Sequence, residues 1–167
     1  MKTICLYFEI HQIIHLKRYR FFDIGTDHYY FDDYANDTSI NNIAENSYVP
    51  ALNTLINMAR ESEGAFKLAL SLSGVGLEQL ERYAPQVIDL LQELNGTGCV
   101  EFIAEPYSHG LASLAPNGEQ SFRDEVKRQV DKINQLFGQK PKVFRNSSLI
   151  YDDEIGGMVA DMGFKGI

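Results

Sequence analysis

A carboxylate, a phenol and an imidazole fall within five residues at Glu105, Tyr107 and His109. They end the stretch Gly98-Cys99-Val100-Glu101-Phe102-Ile103-Ala104-Glu105-Pro106-Tyr107-Ser108-His109-Gly110. Val100, Phe102 and Ile103 have the bulk and β-propensity of a buried strand. Pro106 stops that strand, since it has no N–H for a ladder and pushes Glu105 into an extended conformation. The three polar groups therefore sit at the C-terminal tip of one strand, which is where ligands bind in α/β folds. A strand end followed by a polar surface loop fits the same residues.

A second candidate is His11-Gln12, at the exit of the run Thr3 to Ile10. His15 follows His11 by four residues, the spacing of a helical zinc pair. The segment is a strand exit, however, and no HExxH pattern accompanies it. Residues 16–45 mix Tyr19, Tyr29, Tyr30, Phe31 and Tyr34 with Asp23, Asp27, Asp32 and Asp33. A connection of that length is functional or mobile more often than idle. Aromatic rings among carboxylates suit a polyol-binding groove, and equally a surface excursion packed by its own tyrosines. Asp152-Asp153-Glu154 reads as favourable charge at a helix N-terminus.

The elements that position these groups alternate. Thr3 to Ile10 is a first strand, apolar enough to be buried on both faces. Val49, Leu52, Leu55, Ile56 and Ala59 give a helical period over 46–62, with Pro50 in its first turn. Phe66 to Leu72 is a second strand. Leu77 to Leu94 is helical, with a break near Tyr83 imposed by Pro85. The third strand is the stretch beginning at Gly98. Ser121 caps a helix to about Phe137, with Glu125 favourable to its dipole and Gly138 at its end. Lys142 to Arg145 is a fourth strand, a short helix runs from Asp152 to about Met162, and 163–167 begins a fifth strand. This β-α-β-α-β-α-β-α-(β) order predicts an α/β fold with a parallel sheet and right-handed crossovers. Spacing alone leaves an open doubly wound sheet and part of a barrel equally available.

With 167 residues, 44% of them hydrophobic, the chain is long enough for one domain with a sizeable core. A net charge of -8 argues against nucleic acid as a partner. No apolar run approaches a transmembrane length, so no membrane span is expected. Met1 leads within three residues into a strand-like run rather than a leader's apolar core, and a cytoplasmic location is the expectation. Cys5 and Cys99 both lie in apolar runs and read as small core residues.

Taken together, the strand ends resemble glycoside hydrolase family 57, in particular its α-amylase-type members. Phe8-Glu9-Ile10-His11-Gln12 resembles the first family motif, with Ile13 where proline is expected. Residues 18–25 (RYRFFDIG) look like the segment after it, Gly98 to Ile103 and Glu105 to His109 like the second motif, and Val143 to Tyr151 like the third. The likeness covers essentially the whole chain. It implies parallel βα repeats forming the first half of an incomplete (β/α)7 TIM-like barrel, the N-terminal part of something longer. The substrate implied is an α-glucan, cleaved by a retaining two-carboxylate mechanism that requires no metal or other cofactor. The binding residues implied are His11, Gln12, Glu101, Glu105, Tyr107, His109 and Asn146. The family's nucleophilic glutamate falls at Ser148, which is neutral and too short to replace it. The acid aspartate of the fourth motif would lie beyond Ile167. The resemblance therefore implies a chain that binds glucan and does not hydrolyse it. Two other readings are an active glycosidase using a different carboxylate, and a metal-dependent polysaccharide deacetylase, although His11, His15, His28 and His109 do not form the expected ligand motif. The unpaired fifth strand further suggests self-association along the sheet edge.

Overall fold

The computed structural model describes residues 4–26 and 28–167. Three parallel strands, β1 (Leu6–Ile10), β2 (Leu68–Leu72) and β3 (Val100–Ile103), form a sheet in the order β1-β2-β3. Helices α1 (Asp33–Ile43) and α2 (Val49–Glu61) lie between the first two strands, and α3 (Gly74–Tyr83) and α4 (Pro85–Gly96) between the next two. Helices α5 (Glu119–Phe137) and α6 (Asp153–Asp161) follow β3. The fold is thus α/β with parallel βα repeats, as the alternation predicts.

The register explains how the sheet divides its work. Leu6, Leu68 and Val100 are level, as are Phe8, Leu70 and Phe102. Side chains alternate along a strand, so Leu68, Leu70, Leu72, Val100 and Phe102 share one face, and all are buried in one core with the helices. Leu77, Leu80, Val87, Leu91 and Leu94 meet them from α3 and α4. The opposite face carries Tyr7, Glu9, Ala69, Ser71, Glu101 and Ile103.

The break between α3 and α4 falls at Ala84, whose φ of -143° leaves the helical region immediately before Pro85. Gly138 closes α5 in the left-handed conformation at φ 68°, and its N–H donates to the Asn134 carbonyl.

Several expectations are corrected. Thr3 lies outside the described residues, and β1 is not buried on both faces: Tyr7, Phe8 and Glu9 are exposed. The reason is that β1 is a sheet edge, with a neighbouring strand on one side only. For the same reason Cys5 is exposed, whereas Cys99 is buried. Residues 16–45 are not one loop, because α1 occupies Asp33–Ile43, capped by Asp32 accepting from the Ala35 N–H at 3.0 Å. Asp27, counted with that loop, lies outside the described residues. Helix α5 starts at Glu119 after Gly118 rather than at a Ser121 cap. Glu125 is then too far along to meet the helix dipole, and instead accepts from the Ser108 N–H and hydroxyl at 2.6 Å each. The fourth and fifth strands shrink to single bridges, Ala104 with Phe144 and Val143 with Gly166.

Candidate functional site at the strand tips

The C-terminal tips of β1, β2 and β3 and the segment 143–145 bring together Glu9, His11, Ser71, Ser73, Glu105, His109 and Arg145. Glu9 and Ser71 are level in the register, which places both on the face opposite the helices. Glu105 follows β3 on that face. Its side chain is fully buried and accepts from the Ser71 hydroxyl at 2.5 Å. Arg145 reaches both acids through Nη1, at 2.5 Å from Glu9 Oε1 and 3.5 Å from Glu105 Oε2. His109 Nδ1 lies 3.3 Å from Glu9 Oε1 and 3.8 Å from Glu105 Oε2.

The two imidazoles stack: the His11 and His109 ring centroids are 4.4 Å apart with 20° between planes. His109 is held there by a left-handed backbone at φ 54°, uncommon for a residue with a Cβ. Ser73 caps α3 by accepting the Gly76 N–H at 3.0 Å, and its hydroxyl lies 2.8 Å from His11 Nδ1. One serine thus ties the start of a helix to the orientation of a site histidine.

Burial sets the protonation of this cluster. It pushes the Glu105 carboxyl up to about 7, with Glu9 adding to the rise while the Ser71 hydroxyl and Arg145 oppose it. Burial also lowers both histidines, His11 further through its neighbour His109. The rings are therefore neutral at pH 7, and the Ser73 hydroxyl can donate to Nδ1 of His11. Among the described residues, three buried polar atoms of this cluster lack a hydrogen-bond partner: Glu105 Oε1, His109 Nδ1 and Arg145 Nε. One oxygen each of Glu9 and Glu105 and a ring nitrogen of His109 lie within 4.8 Å of one another, close enough for a metal ion to draw them together.

Other residues singled out from the sequence stand differently. Gln12 turns away toward the helices, donating to the Tyr48 hydroxyl at 2.9 Å while its carbonyl accepts from Gln79 at 2.8 Å. Glu101 shares the Glu105 face but precedes it by four residues, about 13 Å along the strand. It lies level with Ala69 and apart from the cluster. Tyr107 is buried between α3 and α5. Its hydroxyl donates to Glu78, the Arg128 guanidinium sits 3.7 Å from its ring centroid, and a Cβ on Gly74 would lie 2.1 Å from the ring. Asn146 is buried and braces the following turn, donating to the Ser113 hydroxyl at 3.1 Å and the Ile150 carbonyl at 3.0 Å. Ser148 is exposed on that turn, where it and Leu149 both take left-handed φ, 55° and 57°. His15 does not join His11; its N–H donates to Asn36 Oδ1 at 2.7 Å and its carbonyl accepts from the Asn36 amide at 3.1 Å.

Glu9, Ser71, Ser73 and Arg145 escaped the sequence reading as site residues. A signal existed for Glu9, an acid interrupting an apolar strand two residues before His11. Arg145 likewise closes the run Lys142 to Arg145 with a charge. Nothing local marks Ser71 or Ser73 apart from a strand-to-helix turn.

The fold is α/β, and polar groups gather at the C-terminal tips of its parallel strands, the place where folds of this class bind ligands. The family profile Glycosyl hydrolase family 57 matches residues 5–167, and the chain belongs to that family. It is similar to the "Putative alpha-amylase" of Methanocaldococcus jannaschii, with 36% identity over 138 residues. That alignment covers 83% of this chain and 29% of the relative. Among solved structures it resembles the 4-alpha-glucanotransferase from Thermococcus litoralis, at TM-score 0.68 and 18% identity over 96% of this chain and 21% of that one. It also resembles a family 4 carbohydrate esterase from Streptomyces lividans, at TM-score 0.50 and 18% identity over 69% and 54% of the two chains. At these identities the likeness to both solved structures is one of fold. The chain spans less than a third of the length of the amylase relative and of the glucanotransferase.

Proposed function

We propose that this chain is the N-terminal part of an α-amylase-type family 57 barrel, which binds α-glucan at the strand tips and does not hydrolyse it. The observation that carries the reading is the pairing of an assembled polar cluster with a serine at position 148. Glu9, His11, His109 and Arg145 supply charged and neutral hydrogen-bonding groups at a rim where sugar hydroxyls can be held. His11 accepts from Ser73 through Nδ1, which leaves its Nε2–H to donate to a sugar hydroxyl. Glu105 is fully buried, so it acts on Arg145 and Glu9 rather than on a sugar. Membership of the family and the relative's printed name support α-glucan as the ligand class. With a neutral hydroxyl at 148, no attack on an anomeric carbon can be sustained by charge.

The test compares the wild-type chain with Ser148→Glu for binding of maltooligosaccharides and for reducing-sugar release from starch. Millimolar-range binding by both proteins, with no release by wild type, is the expected result. Sugar release by wild type that persists in Ser148→Ala would overturn the silent-site reading. Absence of any binding would overturn the glucan reading itself.

A further inference from the structure

We infer that Glu9, Glu105 and His109 form a site for a divalent transition-metal ion, which takes the place now filled by the Arg145 guanidinium. This inference does not rest on the glucan reading. Three observations carry it. First, one oxygen from each carboxylate and one ring nitrogen of His109 lie within 4.8 Å of one another. The two nitrogen–oxygen separations, 3.3 and 3.8 Å, are close to the edge of about 3.4 Å expected between tetrahedral ligands at zinc bond lengths. Second, the nitrogen faces both carboxylate oxygens yet is buried without a hydrogen-bond partner. The fully buried Glu105 meets His109 through Oε2, which accepts from Ser71, and keeps its second oxygen, Oε1, unpartnered. Third, a single guanidinium serves two carboxylates, touching both through one nitrogen while its buried Nε has no partner.

The charge balance points the same way. Glu9 and Glu105 share one guanidinium, so once both carboxyls are ionised the cluster is a positive charge short, and a divalent ion makes up that deficit. Displacement leaves Arg145 somewhere to go, because its guanidinium already lies 5.8 Å from the centroid of the Tyr7 ring. Two oxygen ligands and one imidazole suit zinc, manganese or iron(II) better than calcium or magnesium, which prefer all-oxygen sites. His11, stacked on His109, would hold the ligating ring in orientation from its outer side.

The test is calorimetric titration of the chelator-treated chain with ZnCl2 and, separately, MnCl2. It uses a Cys5→Ser background so that the exposed thiol does not contribute. One-to-one saturable binding below about 1 mM is expected. His109→Ala and Glu105→Gln should each weaken it by about tenfold or more. Arg145→Gln removes the competing cation and should tighten it by a similar factor, with a matching rise in the melting temperature when metal is added. That gain keeps the idea testable should the loss variants fold poorly. Absence of saturable heat in both wild type and Arg145→Gln overturns the inference. So does binding that His109→Ala and Glu105→Gln leave unchanged.

Discussion

The two faces of the three-stranded sheet are built from the same strands and do opposite things. Toward the helices, Leu68, Leu70, Leu72, Val100 and Phe102 vanish into an apolar core. On the other side, at the intervening register levels, stand Tyr7, Glu9, Ser71 and Glu101. One face gains stability by removing carbon from water. The other gathers charged groups whose burial opposes ionisation, as the raised Glu105 carboxyl shows. The difference teaches that strand alternation lets one sheet carry a core and a site without mixing them.

The comparison is broken most directly from the apolar side. Phe102 is fully buried and stacks on Phe137 with centroids 4.4 Å apart. Replacing it with alanine should cost about 3–5 kcal/mol, seen as a lower urea midpoint with little change in slope. A loss under 1 kcal/mol would mean that this face is not the stabilising one.

The polar face should show its cost through pH. Glu105 titrates near 7 when folded and near the ordinary glutamate value of 4.5 when unfolded. The unfolded state therefore releases this proton first, so the contribution of Glu105 to stability is full below pH 4.5 and is lost as pH rises to 7. In chelator-treated protein Glu105→Gln should remove most of that slope, on the order of 3 kcal/mol between pH 4.5 and 8. An unchanged slope in melting experiments would assign the pH dependence to other groups.

A smaller effect sharpens the junction between the two faces. Ser73→Ala deletes both the α3 cap and the hydroxyl beside His11, at a cost of about 1 kcal/mol. If the serine positions the ring, the pKa of His11 measured by NMR should move in Ser73→Ala. A stability loss without any shift at His11 would reduce Ser73 to a cap.

Much of this was legible in the chain. The βα alternation, the break before Pro85, the stop at Gly138 and the acidic start of α6 all rest on local signals: period, missing N–H, left-handed φ and charge at a helix N-terminus. His11, Glu105 and His109 were legible as strand-tip residues, and the structure brings them together. Tyr107 and Asn146 carried the same local signals yet turn inward, because contacts with Arg128, Glu78 and Ser113 outweigh any pull toward the tip. Helix α1 was hidden by the aromatic and acidic composition of 16–45. Its buried residues are Asn36 and Ile40, too few to produce a clear apolar period.

By itself the sequence determined the class of fold and most of the order of its elements, since both depend on residue type and spacing along the chain. Only the tertiary structure decided that Arg145 sits between Glu9 and Glu105, residues 136 and 40 positions away. That contact depends on the register of parallel strands joined by long crossovers, and no local rule of backbone or side chain reaches so far.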